Sequence, residues 1–318
     1  MLTEVQIDWV KAQLATHGYT LQSDIELTHE RPWSRVATVA TTQGKLYYKM
    51  TLPDLKFEVR LTEALFNWGM PVPEVVAVEA DEGWLLMKDS GVSLRSLLQA
   101  DGDIGRWHTA VTHYAHMQIA LIPKANDLLA TGLFDRRLVL LPTLYDELLA
   151  DVPAMMIGHE DGLTPQEYER LKQLSGKYAD ICQQLITFNI PQTLHHDDFH
   201  DANIFVKDAV YTFADWGETC LTHPFFSMII VLRNAAYILK LADNDPALNE
   251  LRDTYLAQWQ AFGTTDELLA AFELAHTVGT VNRALTWHTF LGMMRAEERA
   301  EEADAVPGWL QEFLSALG

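Results

Sequence analysis

Cysteine is nearly missing from this chain of 318 residues: there are two, Cys182 and Cys220. Two thiols so far apart build neither a disulfide framework nor a zinc cluster, so reduced, structural thiols in a cytoplasmic protein are expected. Cations are scarce as well. Lys and Arg number 23 against 44 Asp and Glu, a formal net charge of −21. Without surplus cations to displace counterions from phosphates, nucleic acid is excluded as a partner. Docking on an anionic membrane is disfavoured for the same reason, whereas the summed field favours a cationic small molecule. Long apolar runs are also lacking. The N-terminus carries acids early and reads as no signal peptide. The most apolar region, Phe225 to Ala242, is interrupted by Arg233, Asn234 and Lys240, and reads as a buried helix rather than a membrane span. Internal repeats and low-complexity tracts are absent.

What is present is ordinary globular stock, 48% hydrophobic and 21% charged, long enough for two lobes with a real core. Thr3 and Gln6 form a capping-box pattern that opens a short helix closed by Gly18. Two strands follow, Val36 to Thr41 and Lys45 to Met50, joined by a turn at Thr42-Gln43-Gly44. Asp54 to Trp68 has helical periodicity and stops at Gly69, with Pro71 and Pro73 beyond. Val75 to Val78 and Trp84 to Met87 are two further strands. After Ser90 the pattern is helical, including 165–185, 224–242, 246–262 and a long stretch at 266–294 that is expected to break. One β-rich island interrupts it, Ile204 to Val206 and Val210 to Ala214, turning at Lys207-Asp208-Ala209. The acid-rich stretch 297–304 reads as a solvated helix surface.

The island has a geometric consequence. In a hairpin turning near Asp208, Asn203 enters the first strand and Asp215 leaves the second, so both lie at one end, with paired Cα atoms roughly 5 Å apart. An amide oxygen beside a carboxylate is a hard-ligand pair suited to magnesium. Asp198, five residues before Asn203, is close enough for a tight loop to aim it at the same point. A carboxylate that accepts a proton beside an Asn/Asp metal pair is the arrangement of phosphoryl transfer.

Those residues carry a resemblance. His196-Asp197-Asp198-Phe199-His200-Asp201-Ala202-Asn203 resembles the H-G-D-x-H-x-x-N motif of the aminoglycoside phosphotransferase and choline kinase superfamily. Asp215-Trp216-Gly217-Glu218 resembles that superfamily's second motif, the counterpart of the kinase D-F-G. The resemblance implies Asp198 as catalytic base, Asn203 and Asp215 as magnesium ligands, and ATP with Mg2+ as the cofactors. Two departures stand out. Asp197 replaces the glycine, and Asp201 opens a stretch where small residues are usual. Extra negative charge beside the base would raise its pKa or bind a cation.

The N-terminal part agrees. Lys49 is on the second strand of the first hairpin and Glu58 on the next helix, the lysine and glutamate with which such kinases fix the nucleotide phosphates. The run Glu58 to Pro73 is similar to the superfamily's helix followed by G-x-P-x-P, and counting back from Gly69 favours Glu58 over Glu63. Ser34, within Arg31 to Val36, occupies the nucleotide-loop position, and backbone groups of Met87 and Asp89 fall where the hinge would contact adenine. The implied fold is α+β, bilobal and protein-kinase-like: a nucleotide-binding lobe at 1–89, with a small antiparallel sheet and one helix, and a mainly helical catalytic and substrate-binding lobe at 90–318. The expected assembly is a monomer or homodimer.

The histidines of the 195–201 segment also spell a metal-ligand vocabulary, so a metal-dependent hydrolase is one alternative; a nucleotide-binding pseudokinase is another. His195, His196 and His200 are expected to support the loop rather than react. His223-Pro224 follows Asp215 almost at once, leaving no room for the activation segment on which protein kinases dock peptides. The expected acceptor is therefore a hydroxyl of a small molecule resembling an aminoglycoside, amino sugar or amino alcohol. Glu218, Tyr145, Asp146, Trp287 and His288 are candidates to line its site.

Overall fold

The computed structural model describes residues 2–242, 244–295, 297–299 and 302–318. Its strands are β1 Glu26–Glu30, β2 Ser34–Thr41, β3 Gly44–Thr51, β4 Val75–Glu79, β5 Trp84–Lys88, β6 Val92–Ser93, β7 Phe134–Asp135, β8 Thr193–His196, β9 Ile204–Lys207, β10 Val210–Phe213 and β11 Thr219–Thr222. Its helices are α1 Glu4–Thr16, α2 Phe57–Asn67, α3 Leu94–Asp101, α4 Gly105–Leu121, α5 Ala125–Ala130, α6 Leu141–Ala150, α7 Pro165–Gln173, α8 Ser175–Thr187, α9 Met228–Leu239, α10 Pro246–Ala257, α11 Thr265–Met293 and α12 Ala305–Ala316. The chain divides into two compact units. The first takes Met1–Ser96, Thr131–Leu133 and Ala202–Gly217; the second takes the remainder.

The first unit is built on a five-stranded antiparallel sheet in the order β1-β2-β3-β5-β4. Side chains alternate across a strand, so Tyr48 and Met50 of β3 point to one face and Tyr47 and Lys49 to the other. On the first face α1 lays Val10 and Leu14 against Ala37, Val39, Leu46, Tyr48, Trp84 and Leu86, which closes a core. The other face therefore carries Lys49, with Val36 and Leu85 as its cross-strand partners. The β2–β3 turn is tighter than its sequence suggests: Thr41 pairs with Gly44, leaving two turn residues. A second, three-stranded sheet in this unit has the order β10-β9-β6. Its β9–β10 hairpin turns on Asp208 and Ala209 alone, both left-handed at φ 52° and 63°, the backbone of a two-residue turn that matches strand twist.

The second unit is helical around a short buried sheet in the order β7-β11-β8. Sequence periodicity misses this sheet. Its strands have two to four residues, too few to show alternation, and β8 and β11 are buried throughout. The stretch 165–185 is not one helix but two, α7 and α8, parted at Leu174 just before the weak helix formers Ser175 and Gly176. Conversely, α11 runs unbroken for 29 residues from a capping box between Thr264 and Glu267. No described helix is long and apolar enough to cross a membrane. The acidic stretch 297–304 lies partly outside the described residues.

Gly279 explains why α11 tolerates a glycine without breaking. A Cβ there would stand 2.5 Å from Ile229 Cδ1 and 3.1 Å from Phe226 Cδ1, both on buried side chains. The glycine serves close packing rather than bending. Gly279→Val is therefore expected to lower the free energy of unfolding by about 1–3 kcal/mol through overpacking. Gly292→Ala, on the same helix with nothing within 4 Å, is expected to raise it by up to about 1 kcal/mol. Urea denaturation of both variants checks the contrast.

Candidate active site

In the first unit three charged side chains from distant points of the sequence meet. Lys49 Nζ donates to Glu58 Oε1 at 2.5 Å and to Asp215 Oδ1 at 2.6 Å. Lys49 and Glu58 are 4% and 2% exposed. Burial would strip Lys49 of its proton, but attraction to Asp215 and Glu58 outweighs it and holds the ammonium charged well above its ordinary range. Glu58 is placed by the first turn of α2 and also accepts the backbone N–H of Trp216. Gly217 lets that approach happen, since a Cβ there would press to 3.2 Å of Glu58 Oε2.

Asn203 and Asp215 come together, though not in the register expected. Phe213 pairs with Ile204, and Ala214 N donates to the Asn203 carbonyl at 2.9 Å. Asp215 is thus one residue beyond the position opposite Asn203, and regular strand backbone would turn it to the other face. It has φ 66° instead, in the left-handed region, which redirects its side chain. Asn203 and Asp215 then both line a cavity of about 190 Å3 together with Val36, Tyr47, Lys49 and Met87. Two hard oxygen donors of this kind fit a magnesium ion. Ser34 begins β2 opposite Thr51, and Asp89 ion-pairs with Lys45 at 3.2 Å; neither is among the described residues that line the cavity.

In the second unit Asp198 follows β8. Its Oδ2 lies 3.2 Å from His200 Nε2 and its Oδ1 3.2 Å from Arg283 Nη2 of α11. Burial pushes its pKa up, but His200 and Arg283 together override this and hold the carboxyl well below the usual range. Of the two consequences expected of Asp197, a raised base or a bound cation, the geometry shows a cation: Arg283 faces both acids. Asp197, itself 3% exposed, receives His195 Nε2 at 2.9 Å on Oδ1 and the Thr286 hydroxyl on Oδ2. Burial raises its pKa too, but His195, Arg283 and Thr286 bring it down to about 2. Glu218 accepts from Arg283 Nη1, while burial and the two aspartates push its own pKa up.

The histidines are engaged as supports. His195 Nδ1 is 2.7 Å from Ser227 Oγ, which in turn meets Tyr114 OH at 2.9 Å. Tyr114 OH accepts the His196 N–H at 2.9 Å, and its ring stacks on Phe199 with centroids 4.0 Å apart. His196 Nδ1 accepts the N–H of Asp198 at 3.3 Å. Of the residues expected to line an acceptor site, Tyr145 is instead core: fully buried, it donates to the Leu171 carbonyl and stacks on Tyr178. Asp146 accepts from Ser175 at 2.5 Å and His288 pairs with Asp151 at 2.8 Å. Trp287 lies under the Arg283 guanidinium, 5.6 Å from it. Sequence reasoning missed Arg283. The available signal was the one Lys or Arg in the stretch Ala275 to Met294, which holds no Asp or Glu and so offers no local counter-charge.

Comparison with known proteins agrees with this geometry. The model of a family described as "Phosphotransferase enzyme family" matches residues 41–271, well over half of the chain, and the chain belongs to that family. Among solved structures it is similar to the ethanolamine kinase of Plasmodium vivax, with TM-score 0.64 and 13% identity over 92% of this chain and 81% of that one. It is similar to macrolide 2'-phosphotransferase type I, with TM-score 0.60 and 14% identity over 96% and 98%. The choline kinase of Cryptosporidium parvum Iowa II gives TM-score 0.63 and 9% identity over 92% and 88%. The fold is thus the α+β fold of protein-kinase-like small-molecule kinases. No curated protein matches the sequence.

A pH effect follows from Asp197. Its folded pKa of about 2 is below the ordinary 3.8, so as pH falls the unfolded chain takes up this proton first. The stabilisation is complete above about pH 4 and is lost as pH falls through about 2, and the difference corresponds to roughly 2 kcal/mol. Asp197→Asn is therefore expected to be the less stable protein at pH 7, with the gap to wild type narrowing below pH 4. Denaturant titrations at a series of pH values measure it.

Proposed function

We propose that the protein transfers the γ-phosphoryl group of ATP, with magnesium, to a hydroxyl of a small molecule. The observation that carries this is the contact of the buried Lys49 with both Glu58 and Asp215, with Lys49, Asn203 and Asp215 lining one cavity. A lysine so held is fixed in place to neutralise nucleotide phosphates rather than left to solvent. On this reading residues 1–89 bind the nucleotide, with Lys49, Glu58, Ser34, Met87 and Asp89 on that side, and residues 90–318 hold the acceptor. Asn203 and Asp215 would hold the magnesium, which when bound would offset charge on the phosphate oxygens.

Asp198 accepts the hydrogen bond of the acceptor hydroxyl and takes its proton as the new O–P bond forms and ADP departs. A carboxylate with a depressed pKa suits this role, because it is ionised at neutral pH and the loose transition state needs orientation of the nucleophile more than a strong base. The names of the similar structures, an ethanolamine kinase, a choline kinase and a macrolide phosphotransferase, support a small hydroxyl-bearing acceptor. The net charge of −21 favours one that carries an amine.

ATP consumption with magnesium, screened against amino sugars, amino alcohols and neutral sugars, tests the reading; no turnover with any acceptor would count against it. Asp198→Ala is expected to lower turnover by about 10²–10⁴-fold with nucleotide affinity within about twofold of wild type. Near-normal turnover in that variant removes the base assignment. Lys49→Ala is expected to weaken productive ATP use. Unchanged ATP affinity and rate there would detach the first unit from the mechanism.

A further inference from the structure

One buried cation in the second unit serves three carboxylates. Arg283, 6% exposed on α11, reaches Glu218 through Nη1, Asp198 through Nη2 at 3.2 Å, and Asp197 at 3.9 Å. We propose that Arg283 is a positioning residue for Asp198, and that Asp197, the aspartate in place of the motif's glycine, is the counter-charge that seats Arg283. The inference rests on the reading of Asp198 as the base.

Asp198 is gripped on both oxygens, by His200 on Oδ2 from its own loop and by Arg283 on Oδ1 from α11. Two donors on opposite oxygens fix the plane of a carboxylate as one donor cannot. Arg283 is fixed in turn. Glu218 holds Nη1, and the Trp287 ring lies against the guanidinium. The helix that presents it is pinned through Thr286, three residues on and therefore on the same side of α11. The Thr286 hydroxyl donates to Asp197 Oδ2 and accepts from Arg136 Nη1, while His195 Nε2 holds Asp197 Oδ1. Glycine at 197 would remove the carboxylate shared by His195, Thr286 and Arg283. The departure from the motif thus has a partner elsewhere in the chain: an aspartate in the loop answers an arginine in the helix.

The arrangement decides the charge of the base. Asp198 is faced by Arg283 from α11, by His200 from its own loop, by His196 from β8, and by Glu218 from the turn before β11, while the preceding Asp197 shares the same Arg283. Without Arg283, two acids would confront it across a buried space with only imidazoles to compensate, and its ionised form would be disfavoured.

Arg283→Gln removes the charge while keeping a polar side chain. With Mg-ATP and whichever panel acceptor the wild type uses, or water as acceptor where none is found, ADP release is expected to lose about ten- to a hundredfold in kcat. KM for ATP should stay within about twofold, and the acid limb of the kcat profile should move to higher pH. Arg283→Lys keeps the charge but loses the planar fork whose two Nη atoms reach Glu218 and Asp198 separately, and should recover only part of the rate. A folded Arg283→Gln with wild-type kcat and pH profile overturns the proposal. Where Arg283→Gln does not fold, full kcat in Arg283→Lys overturns it. Carboxyl 13C NMR of aspartate-labelled protein, with Asp198 assigned by Asp198→Asn, provides a readout free of turnover: its titration should move up in Arg283→Gln, and an unmoved midpoint refutes the contact. A wild type that releases no ADP with any acceptor counts against the kinase reading itself, whereas normal wild-type turnover beside an unchanged variant counts only against Arg283.

Discussion

A lysine held almost wholly out of water keeps its charge only because two carboxylates touch it. The contact of Lys49 with Glu58 and Asp215 organises the first unit, and each member is delivered by a different constraint. Lys49 is on the inner face because strand alternation gives the other face of β3 to the core under α1. Glu58 is there because α2 begins where it does. Asp215 arrives by way of a left-handed backbone at the end of β10. Removing Lys49 would leave the buried Glu58 carboxylate without its counter-charge, at a cost of about 3–5 kcal/mol. The positions of strand, helix and hairpin are therefore tied together electrostatically as well as by packing.

The second unit repeats this logic. Again a single cation faces several acids, Arg283 standing to Asp197, Asp198 and Glu218 as Lys49 stands to Glu58 and Asp215. Around it the polar chain of His195, Ser227, Tyr114 and the backbone of His196 ties β8 to α4 and to the turn before α9. The segment that reads as a dense set of metal ligands is instead a hydrogen-bonded frame, in which each of these imidazoles already has a named partner.

How much of this was legible in the residues depended on the reach of the interaction. The strands β2, β3, β4 and β5, the helix α2 and the β9–β10 hairpin follow from periodicity and turn residues, which are local. The expected pairing of Asn203 with Asp215 is one residue out, because the two-residue turn at Asp208 and Ala209 puts Ala214 opposite Asn203. A register error of one reverses every side chain, and it was harmless for Asp215 only because φ 66° turns the side chain back. The ordered residues Lys49, Glu58, Asp198, Asn203 and Asp215 stood out as a set, since their chemistry constrains their spacing. Arg283 did not, being 85 residues from Asp198 with no motif to mark it. The short strands β8 and β11 escaped because four buried residues carry no alternation.

The shortage of cations with which the sequence opens also has an inside and an outside. Among the described residues the buried charged side chains are Lys49, Arg136 and Arg283 against Glu58, Asp197 and Asp201, three of each sign. Among these described residues the buried charges cancel, so the described acidic excess falls on side chains at least partly open to solvent. Two copies of this protein approaching one another would meet repulsion out to about 8 Å at physiological ionic strength and several times farther in dilute buffer. A small cation would meet the opposite field over the same range. Ionic strength thus acts on this protein chiefly from the outside, through whom it encounters and how fast, and leaves its paired interior charges largely unscreened.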